Sequence, residues 1–280
     1  MSVSEMFKYL FEHVQDSNHL ELPFLDIHLP HWDPIEIAGL TLDLSPTKHV
    51  LFLWFGAAVL ILLMTLAARA NTKNRVPKGW GNVVEVFVKF IRDEIVIPNM
   101  GMAGIRYMPY VLTTFFFILL MNLLGLIPYG ASATGNISVT AGLAAIAFVM
   151  IQVSAIRAQG FGHYLAHLTG GVPVFLWPIM IPIEILGLFT KPFALCIRLF
   201  ANITGGHLVI VSLFGLIFLF NSWAVGVTTA AFIVAINFLE LFVGFLQAYV
   251  FTMLTCIFMG LGIQAGHGEH HGEAANEHGH

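Results

Sequence analysis

Residues 184, 191 and 198 of this chain are Glu, Lys and Arg, at i, i+7 and i+14. Seven residues make nearly two helical turns, so the three side chains share one face of a helix. Asn202 and Gly205, four and seven positions after Arg198, continue the stripe. A later stretch presents Asn237, Glu240, Gly244 and Gln247 at spacings of 3, 4 and 3, again on one face. Acids, amides and a cation that stays charged at any accessible pH are the groups that carry protons or hold buried ion pairs. His207 lies nine residues after Arg198, roughly on the opposite face, and titrates near neutrality. Glu240 is a potential partner for it on the second stretch, and a His–carboxylate pair can pass protons. Gly205 and Gly206 lower the surface of the first stretch and admit close approach of a second helix.

The surroundings make these residues costly. Between Val172 and Ile263 the only residues able to carry a full charge are Glu184, Lys191, Arg198, Glu240 and protonated His207. The whole chain is 58% hydrophobic and 10% charged over 280 residues, with a mean hydropathy of +0.83. A soluble domain carries roughly 25% charged residues. A soluble core of this size cannot hide so much apolar surface, so the solvent is lipid. The apolar runs exceed the ~20 residues that cross a bilayer as helix, and no period-2 alternation suggests a membrane barrel. The expected fold class is an all-α polytopic membrane protein with about five membrane helices. At a bilayer centre an arginine costs about 2.5–3.5 kcal/mol on insertion scales. The bland readings are interhelical pairs that glue the fold, and a Lys191 that snorkels to the surface.

The elements that must position these groups follow from the pattern. Residues 1–48, with eight acids, two bases and four prolines, read as an external or interfacial segment with one short helix at 3–15. Spans are expected at about 50–68, 107–127 and 137–156. The segment 80–97 combines Val84, Phe87, Val88 and Ile91 with Glu85, Lys89 and Arg92 and reads as an amphipathic interfacial helix. Residues 69–106 hold seven bases, which places them in the cytoplasm and the N-terminus outside. No basic segment leads into a short apolar run and a cleavage site, so insertion is expected to use the first span. The small face of 137–156 (Ala141, Gly142, Ala144, Ala145, Ala147) suits close helix contact. Cys196 and Cys256 are expected to act as small packing residues.

Residues 173–220 and 223–264 form two further apolar stretches with a clear turn only at Asn221-Ser222. Forty-eight helical residues would extend ~70 Å, against a hydrocarbon core of ~30 Å. Each stretch is therefore two spans or one strongly tilted helix. Residues 49–264 make a single membrane domain on this reading. The tail 265–280, with five histidines among Gly and Glu, reads as a solvated disordered end. No cofactor motif, metal site or nucleic-acid patch is expected.

The segments KPFALCIRLFANITGGH and FLQAYVFTMLTCIF resemble the two signature helices of subunit a of the F-type ATP synthase, the membrane stator facing the rotating c-ring. MNLLGLIPYG at 121–130 and IEILGLFTKP at 183–192 extend the resemblance, which covers about 105–264. It implies that Arg198 is the essential stator arginine, with Asn202 beside it and Gln247 near it from the other helix. It implies Glu184 as the acid of the cytoplasmic half-channel, and His207 with Glu240 as the relay of the outer one. In the enteric bacterial pattern the acid follows the arginine and the histidine precedes the glutamine, and in this chain the two are exchanged. The resemblance further implies a long tilted hairpin at 173–220 and 223–264 and a cytoplasmic C-terminus. The implied partners are the c-ring, peripheral-stalk b subunits and the lipid bilayer, and the implied location is a bacterial plasma (inner) membrane. Such a subunit translocates ions and catalyses nothing alone. A secondary transporter with a buried ion-pair site is the competing reading, although no repeat is visible. An anchor or assembly factor, with stripes that only pack helices, is the third.

Overall fold

With no water to satisfy backbone groups in lipid, apolar runs of this length fold as helices, and five helices among the described residues are long and apolar enough to cross a membrane. A computed structural model describes residues 19–22, 25–28, 35–37, 40–42, 47–73, 79–126, 133–168, 174–220 and 222–268. Helix α1 is Lys48–Lys73. The next segment has three parts, with α2 at Trp80–Phe90, a π-helical turn at Ile91–Val96 and α3 at Ile97–Met100. After a 3-10 segment, α4 runs over Met108–Gly125. Helix α5 is Ile137–Gln159 and the short α6 is Phe161–Leu168. Helices α7, Trp177–Phe220, and α8, Trp223–Gly268, complete the chain.

The polytopic all-α architecture expected from composition is the one observed. Each of the two last stretches is one continuous helix, 44 and 46 residues long. At ~1.5 Å per residue, 44 residues extend about 66 Å. An apolar length so far above the hydrocarbon thickness fits a bilayer by tilting, kinking or local thickening. Pro182 and Pro192 lie inside α7 without ending it, as helices in lipid tolerate. Ahead of α1 are two short antiparallel hairpins that the sequence reading did not contain, β1 (His19–Leu22) with β2 (Leu25–His28) and β3 (Ile35–Ile37) with β4 (Leu40–Leu42). The expected helix at 3–15 lies outside the described residues, as does the tail from 269 onward. Residues 265–268 belong to α8.

The π-helical turn explains how the amphipathic segment manages its charges. Arg92, Asp93 and Glu94 are consecutive and all exposed, while Ile91, Ile95 and Val96 are fully buried. One extra residue in a turn shifts the helical register. Three charges in a row can then face outward between buried isoleucines.

The chain divides into two compact units. One comprises Met1–Leu62, Phe117–Val139 and Leu199–Gln247, the other Leu63–Phe116, Thr140–Arg198 and Ala248–His280. In the first, α1 meets α4 at Gly56, where any added Cβ would overlap Met121. In the second, Phe87 of α2 packs on Phe115 and Phe116 of α4, each pair of centroids 6.1 Å apart. Phe90 meets Tyr249 of α8 at 6.0 Å. The C-terminal part of α8 is pinned by hydrogen bonds from glutamine side chains. Gln159 Nε2 donates to the Gly262 carbonyl at 2.7 Å, and Gln264 Nε2 donates to that of Asn99 at 3.4 Å. A Cβ at Gly260 would collide with the Asn99 carbonyl, and one at Gly262 with Ala155. Only part of the small face of α5 is used for this packing, since Ala144 and Ala147 are buried while Ala141, Gly142 and Ala145 are exposed. Helix α5 also packs on α7. Cys196 Sγ donates to Thr140 Oγ1 at 3.5 Å, and Phe148 stacks on Phe189 with centroids 5.3 Å apart. Both cysteines are free and buried.

Candidate functional site

Arg198 stands on α7 with its side chain exposed, and no hydrogen bond or ion pair joins it to another described residue. Leu195 and Leu199, at 1% and 0% exposure, lie toward the packed side of the same turns. The arginine thus stands exposed on an apolar helix, at the edge of the side that Leu195 and Leu199 bury.

Asn202 and Gln247 are brought together as side-chain partners of α7 and α8. Asn202 Nδ2 donates to Gln247 Oε1 at 2.7 Å. Gln247 is 3% exposed, and its Nε2 is buried without a hydrogen-bond partner among the described residues.

His207 and Glu240 line one small, partly open cleft of about 20 Å³ with Asn202 and Asn122, walled by Leu126, Ile203 and Val243. Gly206 makes this approach possible, because a Cβ there would overlap the Glu240 carboxylate. The Glu240 Oε2 is buried and has no hydrogen-bond partner among the described residues. No ion pair within 4.0 Å joins His207 to Glu240 among the described residues, so the two share a cavity rather than a direct bond. Gly205 differs from its neighbour, since a Cβ there would meet nothing within 4 Å. Asn237, the first member of the α8 stripe, is exposed and takes no part.

Glu184 is half-buried near the start of α7. Lys191 does more than snorkel. Its Nζ lies 5.2 Å from the centre of the Phe258 ring of α8, a cation–π contact that offsets part of the cost of the charge.

Two polar residues of this region were not singled out in the sequence. Asn122, 2% exposed, donates from Nδ2 to the Gly244 carbonyl at 2.9 Å. Thr134, fully buried, donates from Oγ1 to Asn122 Oδ1 at 2.9 Å. Asn122 therefore ties α4 to the α8 stripe at its glycine, where a Cβ would come within 3.2 Å of it. The signal was available, since Asn122 is an amide inside an apolar span.

A family model described as the ATP synthase A chain matches residues 50–260. The chain is 49% identical over 270 residues to ATP synthase subunit a of Chloroherpeton thalassium, covering 95% of this chain and 79% of that protein. It is 50% identical over 278 residues to ATP synthase subunit a 2 of Chlorobaculum tepidum, covering 96% and 77%. Against ATP synthase subunit a of Myxococcus xanthus the identity is 51% over 248 residues, covering 87% and 81%.

Proposed function

The chain belongs to the ATP synthase A chain family, and we propose that within that role Arg198 is the gate separating two proton half-channels. As a family member it is a multi-pass, proton-translocating membrane subunit of an F-type ATP synthase and catalyses nothing by itself. The reading of Arg198 rests on one observation. A cation that cannot be neutralised projects from an apolar helix with no partner among the described residues of its own chain. Its counter-charge is a carboxylate of the c-ring, brought round by rotation.

The mechanism follows from elementary electrostatics. A fixed guanidinium in a low-dielectric site favours the ionised form of an acid that faces it. A ring carboxylate passes Arg198 only after giving up its proton to one half-channel. It must take a proton from the other before entering lipid, where a bare charge is prohibitive. The same cation repels protons that would cross directly between the half-channels. Glu184 is the acid of the inner half-channel, on the cytoplasmic side. The cleft holding His207 and Glu240 is the outer one, with Asn202 and Gln247 as polar groups between. The exchange of acid and histidine relative to the enteric pattern keeps both group types, and Gly206 lets the Glu240 carboxylate lie one residue from His207. The open surface at Gly205, on the Arg198 stripe, is where the ring passes.

Partners on this reading are the c-ring and the peripheral-stalk b subunits. The basic stretch 69–106 supports a cytoplasmic placement of that segment, hence an external N-terminus, a cytoplasmic C-terminus and a bacterial plasma membrane.

The test compares wild type with Arg198→Ala in the purified complex in liposomes, at equal assembly. ATP-driven acidification and passive proton flux under an imposed potential are recorded. Lost pumping with persisting passive flux is the expected result. Normal pumping would make Arg198 a packing residue.

A further inference from the structure

Three polar side chains of the second unit, Gln152, Tyr164 and Glu184, belong to one neighbourhood. Helices α5 and α7 pack antiparallel, as two contacts establish. Thr140 meets Cys196, and Phe148 meets Phe189. Eight residues forward on α5 correspond to seven backward on α7, about 12 and 10 Å of rise. One further turn on α5 reaches Gln152. The same step back along α7 reaches Ile185, adjacent to Glu184. A half-buried amide of one helix and a half-buried carboxylate of its neighbour therefore stand at the same level.

Helix α6 brings the third group. Gly160 ends α5 with φ 83°, a left-handed conformation that turns the chain back. The Tyr164 N–H donates to the Gly160 carbonyl at 3.0 Å, and the Tyr164 hydroxyl donates to Gln152 Oε1. With Oε1 engaged by a donor, the amide has both Nε2 hydrogens left for an acceptor. Burial pushes the Tyr164 pKa up, and the nearby Glu184 charge adds to it. The phenol therefore stays a protonated donor, within electrostatic reach of Glu184.

We infer that Gln152 and Tyr164 are positioning residues of the inner half-channel, holding the Glu184 carboxylate through the Gln152 amide, directly or through one water. Tyr164 fixes which end of the amide faces the acid. This rests on the reading of Glu184 as the acid of that half-channel. A hydrogen bond that merely locks α6 onto α5 would act without regard to Glu184.

The experiment uses the whole complex in liposomes and records ATP-driven acidification for Tyr164→Phe, Gln152→Leu, Glu184→Gln and the Tyr164→Phe/Glu184→Gln double variant. Each single substitution at 152 or 164 is expected to slow pumping roughly threefold to tenfold, the scale of one lost hydrogen bond, with subunit content unchanged. The double variant is expected to pump no more slowly than Glu184→Gln alone, because both changes act on one carboxylate. Where Glu184→Gln abolishes pumping altogether, Glu184→Asp serves as the background. Normal pumping by both Tyr164→Phe and Gln152→Leu beside a slow Glu184→Gln overturns the inference and leaves the reading of Glu184 standing. Normal pumping by Glu184→Gln removes that reading and the inference with it. Multiplied losses in the double variant, or a Tyr164→Phe subunit that fails to assemble, assign the pair to packing and overturn the inference.

Discussion

Two arginines of this chain stand in opposite settings. Arg92, exposed on the π-helical turn, forks onto Asp93, with Nε 2.7 Å from Oδ1 and Nη2 3.1 Å from Oδ2. Arg198, on an apolar helix, has no ion pair or hydrogen bond to a described residue. An ion pair in water contributes little, whereas an unpaired arginine at a bilayer centre costs about 2.5–3.5 kcal/mol. The chain pairs its charge where pairing matters least and leaves it open where it matters most. On the proposed reading that inversion is what a stator requires, because an internal counter-ion would compete with a ring carboxylate.

Removing the unpaired charge is the strongest way to break the comparison. Arg198→Ala is expected to lower coupled pumping by roughly a hundredfold or more, the size seen when one fixed electrostatic group is removed from a dry site. Arg198→Lys keeps a charge but loses the planar fork, so it should fall between wild type and alanine. Pumping by the lysine variant equal to that of alanine would show that geometry, not charge alone, sets the gate.

The adjacent glycines sharpen the same contrast between a filled face and an open one. Gly206→Leu drives a side chain into the Glu240 carboxylate. Overpacking of this kind costs about 1–3 kcal/mol or more, so the subunit level in membranes should fall with pumping. At Gly205 an added Cβ meets nothing within 4 Å among the described residues. The level of Gly205→Leu should be normal while pumping drops several-fold, if the ring sweeps that face. Membrane subunit levels beside pumping rates separate the two, and a Gly205→Leu complex that pumps normally would show that this face meets lipid.

How much of this was legible depended on whether a feature is periodic or depends on packing. The i, i+7 spacing from Glu184 to Arg198, and the 3-4-3 spacing from Asn237 to Gln247, are helix geometry written in sequence. They placed Asn202 and Gln247 on surfaces that do meet, at 2.7 Å. Hydropathy could not choose between two spans and one long helix for 173–220, because Pro182 and Pro192 mark breaks in water but not in lipid. The hairpins of residues 19–42 were lost to the reading of 1–48 as an interfacial segment. The Asn122–Thr134–Gly244 chain and the Tyr164–Gln152 pair depend on which residues two helices set at one level. No single-helix period encodes that. The π-helical turn was equally hidden, since its effect is a register shift that composition does not announce.

The Asn122 link offers an intermediate test, on a polar group that is paired and buried. Asn122→Leu leaves the Thr134 hydroxyl and the Gly244 carbonyl without this partner. Each hydrogen bond lost in this way costs about 0.5–1.5 kcal/mol. The thermal midpoint of the complex in detergent should drop by several degrees, with Thr134→Val giving the smaller shift because it removes one bond and leaves Asn122 on Gly244. Equal shifts from the two would mean that Thr134, not Gly244, is the partner that matters.

The smallest effect belongs to the pair with which the comparison began. The Arg92 guanidinium, chiefly through its hydrogen bond, holds the Asp93 carboxyl below its ordinary range. A group whose folded pKa is depressed contributes stability above its unfolded pKa, and that contribution is lost as pH falls through the folded value. With an unfolded value of about 3.9, the pair is fully formed throughout the neutral range and its loss falls entirely in acid. Both partners are fully exposed, so solvent and salt screen what remains. Asp93→Asn should therefore leave the thermal midpoint unchanged between pH 6 and pH 8, and pumping with it. Pumping is the discriminating readout, because stability is expected to be flat on any account. A measurable loss of pumping in Asp93→Asn would mean that the exposed Arg92–Asp93–Glu94 turn meets another subunit, and the contrast between an idle charge pair and a working lone charge would no longer hold.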